Sequence, residues 1–171
     1  MKTIWLAIIT FVMFVMTVGM ANAQDKEEGE ESGLALPRMV SLRSNLINAR
    51  SGPGARYPIE WVYQQKGAPV EITAEFELWR KIKDWEGSQT WVHKSMLSGT
   101  RTIKMTAKGE SNIYASDDYQ SRVVAKVEDQ VIGQVKKCPS GSSFCLIKFD
   151  NIEGWVPRRN MFGVYADEVI D

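Results

Sequence analysis

Apolar and polar residues alternate along most of the chain, and the clearest case is the stretch from Val70 to Phe76. Every second residue there is apolar, and Glu71, Thr73 and Glu75 lie between. A period of two places one face of a strand against a core and the other in solvent. Similar short runs recur further along the chain, and turn residues separate them roughly every 6–12 residues. No long segment has the 3.6-residue period of a helix, so the pattern predicts an all-β protein.

One part of this pattern occurs twice. Trp79–Gly99 (WRKIKDWEGSQTWVHKSMLSG) and Phe144–Gly163 (FCLIKFDNIEGWVPRRNMFG) each read as a strand, a polar turn, a short Trp-Val strand, a helical turn and a closing glycine. Trp91 and Trp155 lie 64 residues apart. Such a repeat of short strands predicts two small β-barrels in tandem, each with one short 3₁₀ turn.

The repeat and the changes in composition divide the chain into five segments. They are a signal peptide (1–23), a disordered acidic tether (24–36), a first barrel (37–99), a second barrel (100–165) and an acidic tail (166–171). Each barrel has only about 60 residues, a size at which a single core is marginal, so we expect the two barrels to pack together.

The N-terminus has the features of a secretory signal. Lys2 precedes an apolar run from Ile4 to Val18, and Ala21-Asn22-Ala23 fits the small-residue cleavage pattern, with cleavage between Ala23 and Gln24. The alternative is an uncleaved membrane anchor, because the run approaches the roughly 17–25 residues that span a bilayer. The early small-residue site favours cleavage. We therefore expect an exported protein, periplasmic or secreted, with no membrane span after cleavage.

Two cysteines, Cys138 and Cys145, are separated by the turn residues Pro139-Ser140-Gly141. An isolated close pair in an oxidising compartment is expected to form a structural disulfide across a hairpin. A metal site would need further ligands, and a redox pair would have C-x-x-C spacing.

The composition argues against several classes of function. The chain has 21 basic and 21 acidic residues, so it has no overall field for nucleic acid. His93 is the only histidine, which leaves too few ligands for catalytic zinc and makes it the only available histidine base for a Ser or Cys nucleophile. Because His93 follows Trp91-Val92 in a short helical turn, we interpret it as structural. We predict no catalytic residues, no metal and no cofactor.

Aromatic residues of the first barrel are the candidates for ligand binding. The period of two places Trp79 and Ile82 on opposite faces, which leaves Trp79 at the surface if Ile82 is in the core. Trp85 lies in a turn, where burial is difficult, and Tyr57 ends the glycine-containing loop. Each of these three rings has a structural or a ligand-binding interpretation. Arg50 either braces the loop or meets a carboxylate of a ligand.

Other residues have simpler interpretations. Trp91 and Trp155 are expected to pack in the core or between strands. Arg158 and Arg159 are expected to be solvated or to contact the acidic tail.

Several motifs resemble the bacterial SH3-like (SH3b) family of exported proteins. They are Asn48–Gly54 (NARSGPG), Trp79-x-x-Ile82, Gly87-x-x-x-Trp91-Val92 and, in the second copy, Gly154-Trp155-Val156. The resemblance extends from about Pro37 to Tyr165. The second copy has Asn112–Asp117 (NIYASD) where the first has its Arg and Gly-Pro, so a ligand role of this loop is assigned to the first barrel only.

The resemblance implies barrels of five or six short strands that act as binding or targeting modules. Together with the aromatic residues of the first barrel, it suggests a non-catalytic protein of the cell envelope that recognises peptidoglycan or its peptide stems, through a groove with Arg50, Tyr57, Trp79 and Trp85. The alternative is a module that docks on an envelope protein or enzyme through an exposed strand edge.

Overall fold

The computed structural model describes residues 27–171. The predicted signal peptide and its cleavage site between Ala23 and Gln24 lie outside the described residues. Within them the protein consists of strands and two 3₁₀ turns, with no α-helix. This confirms the predicted all-β fold of two modules.

Residues 27–36 form a small hairpin in the segment that the sequence assigns to a disordered tether. Strand β1 (Glu27–Glu28) pairs with strand β2 (Ala35–Leu36) in an antiparallel register. The hairpin contacts the first barrel through Ser32, whose hydroxyl donates to Glu75 at 2.8 Å. The acidic composition could not indicate this order, because the contact depends on a residue 43 positions away.

The first barrel is one antiparallel sheet of seven strands with a 3₁₀ turn at Lys94–Met96. Its strands are β3 (Arg38–Leu42), β4 (Ile47–Arg50), β5 (Ile59–Tyr63), β6 (Pro69–Phe76), β7 (Trp79–Lys83), β8 (Gln89–His93) and β9 (Leu97–Ser98). They follow the order β5-β4-β8-β7-β6-β3-β9, so β5 and β9 are the edges.

The second barrel repeats this plan, with its 3₁₀ turn at Arg158–Asn160. Its strands are β10 (Thr102–Met105), β11 (Ser111–Tyr114), β12 (Val123–Val127), β13 (Ile132–Lys137), β14 (Phe144–Phe149), β15 (Ile152–Pro157) and β16 (Met161–Phe162). The order β12-β11-β15-β14-β13-β10-β16 matches that of the first barrel strand for strand.

Each barrel encloses its own apolar core, built from the inward positions of its strands. Ile82 is buried on β7 while Trp79 on the opposite face is half-buried, as the period of two predicts. In the second barrel Ile147, which corresponds to Ile82, is buried, and so is Val156 on the neighbouring strand. The predicted alternation therefore holds in the strands that form the repeat.

The turn between β7 and β8 is organised by Asp84. Its Oδ1 accepts hydrogen bonds from the backbone N–H groups of Glu86 at 3.0 Å and Ser88 at 2.9 Å. Gly87 has a φ of +91°, a conformation that glycine adopts without steric cost. This turn carries Trp85 into contact with the second barrel, as described below.

The C-terminal segment, expected as an acidic tail, is bound to the second barrel. The backbone of Ile170 exchanges two hydrogen bonds with Cys138, at 2.7 and 3.0 Å. Arg158 donates to the carbonyls of Tyr165 and Glu168, at 2.9 and 2.8 Å. Arg158 therefore contacts the tail, which was one of its two predicted roles.

The two barrels touch each other through polar and apolar contacts. Thr102 Oγ1 donates to the carbonyl of Gly67 at 2.7 Å, and Tyr165 Oη donates to Glu71 Oε1 at 2.9 Å. Ile132 of the second barrel packs against the core of the first. Several independent contacts thus join the modules.

Candidate functional site

The glycine-containing loop between β4 and β5 is held by Arg50 and Tyr57. Arg50 Nη1 donates to the carbonyl oxygen of Tyr57 at 2.7 Å. The half-buried Tyr57 ring covers Gly52 so closely that a Cβ at Gly52 would overlap it. Arg56 lies beside the same ring, 5.3 Å from its centroid. Arg50 therefore braces the loop, one of the two roles that the sequence suggested.

Strand register places a row of aromatic and basic residues on the outer face of the first barrel. Arg50 is the cross-strand partner of Trp91, and Lys81 is the partner of Trp91 on its other side. The next pair is Trp79 with His93. We call these five residues the aromatic face. All five are half-buried, so their outer surfaces reach solvent beside the glycine-containing loop.

The end of the aromatic face is fixed by local contacts of His93. The rings of Trp79 and His93 meet edge to face, with centroids 5.6 Å apart. His93 Nδ1 lies 2.7 Å from Ser95 Oγ and accepts a hydrogen bond from the Ser95 backbone at 3.3 Å. His93 thus caps the 3₁₀ turn and orients the Trp79 ring.

Trp85 belongs to a different part of the first barrel. It follows the end of β7, whereas Trp79 begins that strand, so the strand separates them by roughly 15–20 Å. Its ring meets Tyr63 edge to face at 6.2 Å. The four predicted ligand-binding residues therefore divide into Arg50, Tyr57 and Trp79 near the glycine-containing loop, and Trp85 beyond the opposite strand end.

Trp85 lines a groove of about 450 Å³ at that opposite end. One wall is the end of β5 with the residues that follow it, Trp61–Gln65, and the other wall is the turn Asp84–Glu86. We call this feature the Trp61 groove. The Trp61 side chain is 53 % exposed, which makes it one of the most exposed large apolar residues among residues 27–171.

Polar groups at the base of the Trp61 groove are buried. Tyr63 Oη donates to Asp84 Oδ2 at 3.0 Å. Burial raises the pKa of Tyr63, and the neighbouring Asp84 carboxylate raises it further. The phenol is therefore a neutral hydrogen-bond donor at physiological pH.

Lys104 of the second barrel covers the Trp85 ring. Its Nζ lies 3.6 Å from the ring centroid and donates to Gln65 Oε1 at 2.8 Å. Lys104 is only 4 % exposed, and this burial lowers its pKa. Glu86 and Asp84 are close enough to favour its charged form. Trp85, expected to resist burial in a turn, is thus half-buried because a second module lies against it.

The second barrel has a separate aromatic cluster at the loop that replaces the glycine-containing loop. The Tyr119 ring lies 4.6 Å from Phe144 and 5.9 Å from Tyr114, between centroids. The Arg159 guanidinium lies 5.2 Å from the Tyr119 centroid. This cluster was not predicted from the sequence, although Tyr114 occupies the position in the second copy of the repeat that Arg50 occupies in the first.

A cleft of about 950 Å³ lies where the N-terminal hairpin, the first barrel and the C-terminal segment meet. Its arginines are already paired. Arg38 pairs with Glu75, and Arg101 Nη2 donates to Glu168 Oε2 at 2.9 Å. The cleft is therefore held together by its own charges.

The predicted disulfide is confirmed, since Cys138 and Cys145 are bonded at the turn end of the hairpin formed by β13 and β14. Within residues 27–171 no cluster of three or more His, Cys, Asp or Glu side chains is arranged to hold a metal ion. The same residues contain no helix with the length and apolar character of a membrane span.

Sequence reasoning missed Trp61 and Lys104 as members of a site, and it did not include Trp91, which was expected in the core or between strands and is half-buried on the outer face. The alternation of Ile59, Trp61 and Tyr63 indicates the strand but does not reveal that this strand is an edge. No sequence pattern indicates a role for Lys104, because its partner Trp85 is in the other module. The repeat itself held one clue, since the second copy has no aromatic residue at the place of Trp61.

The solved structures that are similar to this chain include two proteins from Trichomonas vaginalis. NlpC1 is 17 % identical with a TM-score of 0.32, over 78 % of this chain and 48 % of that one. NlpC2 is 16 % identical with a TM-score of 0.32, over 74 % of this chain and 48 % of that one. The chain thus spans about half the length of either structure. No curated protein sequence matches it.

Comparison with protein families gives a match over residues 43–99. This range contains β4 to β9 and therefore the aromatic face, the glycine-containing loop and both walls of the Trp61 groove. The matching family is described as the bacterial SH3 domain. Residues 43–99, which form most of the first barrel, are therefore similar to the bacterial SH3 domain.

Proposed function

We propose that this protein is a non-catalytic binding protein of the bacterial cell envelope, whose aromatic face recognises peptidoglycan or its peptide stems. The observation that carries the proposal is the outer row of Arg50, Trp91 and Lys81, with Trp79 beside it, on a barrel similar to the bacterial SH3 domain. Bacterial SH3 domains suggest a module that binds the cell wall.

The chemistry of the face suits a ligand with both apolar and anionic parts. Tryptophan rings offer large rigid surfaces on which the apolar face of a sugar or a peptide side chain can lie. Basic side chains beside the rings can meet the carboxylates of peptide stems through charge-assisted hydrogen bonds. Lys81 makes no ion pair within residues 27–171, so its charge is available to such a ligand.

The proposed location is outside the cytoplasm, in the periplasm or secreted. The Cys138–Cys145 disulfide supports it, because such bonds persist in oxidising compartments. The apolar N-terminal run with its cleavage pattern at Ala23 supports it independently.

A pull-down with purified sacculi tests the ligand. The chain from Gln24 to Asp171 keeps every described residue, and we expect it to be enriched on sacculi relative to a soluble protein of similar size. Trp79→Ala should lower the bound fraction, because it removes one ring of the face. Trp61→Ala is the matched control, since it removes a more exposed ring from the opposite end. Equal retention of the Trp79→Ala variant, or no enrichment of the parent chain, would reject peptidoglycan as the ligand.

A further inference from the structure

The Trp61 groove is a second surface, distinct from the aromatic face, and its two rings have different roles. Trp85 is occupied by Lys104, which lies on its face at 3.6 Å. Trp61 makes no aromatic or cation contact within residues 27–171 and is 53 % exposed. The interface between the barrels therefore accounts for the presence of a tryptophan at position 85 but not for the exposed Trp61.

The second barrel indicates that the fold does not require these rings. Trp61 pairs with Ala49 across β5 and β4, and the corresponding pair in the second barrel is Ala125 with Ile113. The turn that carries Trp85 is shortened there to Asp150 and Asn151, between the paired residues Phe149 and Ile152. The same sheet thus forms with alanine and a two-residue turn, so an exposed tryptophan has to be explained by something other than folding.

The Trp61 groove opens along an unpaired strand edge. Strand β5 is the first strand of its sheet and pairs with β4 alone among the described strands. Its exposed residues include Ile59 and Val62 besides Trp61. An edge with free N–H and C=O groups can accept one further strand from another chain. In such a pairing the added residue opposite Trp61 would point to the same side as Trp61, into the groove.

The charges of the groove favour a cation at that position. Both oxygens of Asp84 already accept hydrogen bonds, from Tyr63 and from the turn backbone. Glu86 is exposed, and its carboxylate has no hydrogen bond or ion pair in the described chain. The charge of Lys104, which Glu86 and then Asp84 favour, offsets one of these two negative charges, so one negative charge remains in the groove. A groove that combines an exposed aromatic ring with excess negative charge is an environment that an ammonium group prefers.

We propose that the Trp61 groove binds a lysine side chain of a partner protein, presented by an extended segment that pairs with β5. The lysine ammonium would lie between the Trp61 ring and the Glu86 carboxylate, and the backbone of the segment would extend the sheet. This interaction goes beyond the proposed binding of peptidoglycan and uses other residues of the first barrel.

Titration with short peptides, followed by amide and indole chemical shifts of the chain from Gln24 to Asp171, tests this proposal. The probes are a blocked seven-residue peptide of alternating Thr and Val with a central Lys, and the same peptide with a central Glu. We expect the Lys peptide to shift the Trp61 indole and the amides of β5 in a saturable way. The Glu peptide should bind at least about tenfold more weakly, since it places like charges together.

Variants separate a lysine site from unspecific association. Trp61→Ala, which introduces the residue found at Ala125 of the second barrel, should lower the affinity for the Lys peptide about threefold or more. Glu86→Gln should have an effect of similar size. Trp79→Ala should leave its affinity unchanged while lowering sacculus binding, so failure of one proposal is distinguishable from failure of the other. Equal binding of both peptides, unchanged affinity in Trp61→Ala, or no shift at millimolar Lys peptide would overturn the proposal.

Discussion

The two barrels differ in the interaction that links two neighbouring strands at one equivalent cross-strand position. In the first barrel Glu75 faces Arg80 across β6 and β7, and the two side chains form an ion pair at 3.2 Å. In the second barrel the corresponding place on β13 and β14 holds the Cys138–Cys145 disulfide. The correspondence follows from the next strand, where Arg80 pairs with Val92 and Cys145 with Val156.

Both positions also hold a terminal segment of the chain. Glu75 accepts hydrogen bonds from Ser32 and Arg38, and so connects the N-terminal hairpin to the first barrel. Cys138 exchanges backbone hydrogen bonds with Ile170 of the C-terminal segment. Each barrel thus has a strong cross-strand link at this point, and the chemistry of the two links differs. One link should therefore respond to acid and the other to reductant.

Core truncation should have the largest effect and should be similar in both barrels. Ile82→Ala and Ile147→Ala each remove a fully buried side chain from the equivalent strand. We expect each to lower the free energy of unfolding by about 2–5 kcal/mol, measured by chemical denaturation followed by tryptophan fluorescence. A loss below about 1 kcal/mol in only one variant would show that the two cores are not equivalent.

Removal of the Glu75 carboxylate should cause the next largest loss of unfolding free energy. Its side chain is 1 % exposed, and Glu75→Gln would leave the charges of Arg80 and Arg38 without their carboxylate. Breaking such a pair costs about 3 kcal/mol of unfolding free energy. Glu71→Gln is the control, since its ion pair with Lys83 at 3.6 Å is more exposed. Similar losses in both variants would contradict the special role of Glu75.

The same link gives the first barrel a dependence on acid. Burial alone would raise the pKa of Glu75, but hydrogen bonds from Arg38 and Ser32, and the charges of Arg80 and Arg38, outweigh it and lower the pKa below its ordinary 4.5. A carboxyl whose pKa falls on folding stabilises the protein above the ordinary value, and this stability is lost as pH falls through the lowered pKa. The difference between parent and Glu75→Gln should therefore shrink below about pH 4.5.

The disulfide should contribute a smaller amount, because it closes a short loop. The double variant Cys138→Ala/Cys145→Ala should lose about 1–3 kcal/mol of unfolding free energy. Hydrogen exchange at Ile170 should accelerate more than at Ser32, since only the C-terminal segment is bound at this link. Reductant should reproduce the effect in the parent and do nothing in the double variant. Equal acceleration at both segments would contradict the separate roles of the two links.

The smallest expected effect is on sacculus binding, and it distinguishes the loop that contains Tyr57 from the corresponding loop of the second barrel. Tyr57→Ala should weaken sacculus binding about fivefold, because it removes a ring beside the aromatic face. Tyr119→Ala, in the corresponding loop of the second barrel, should leave binding unchanged. Quantitative pull-down across a protein concentration series measures both. If Tyr119→Ala weakens binding as much as Tyr57→Ala, recognition is shared between the barrels.

The sequence predicts the barrels well because their strands depend on local alternation. Ile82 and Trp79 occupy the faces that their spacing indicates. The links between distant segments could not be predicted in this way. Ser32 reaches Glu75 across 43 positions, and Lys104 reaches Gln65 across 39. The division of the candidate residues into two surfaces depends on the ends of β7, which no pattern of residue types specifies.

The connection between the barrels has a mechanical consequence. Only three residues, Gly99 to Arg101, join the end of β9 to the start of β10, and they can span at most about 11 Å. With Lys104 fixed on Trp85, the distance between the surfaces of the two barrels is set by the fold and not by a flexible spacer. A target that contacted both barrels would therefore meet two surfaces held at one fixed separation.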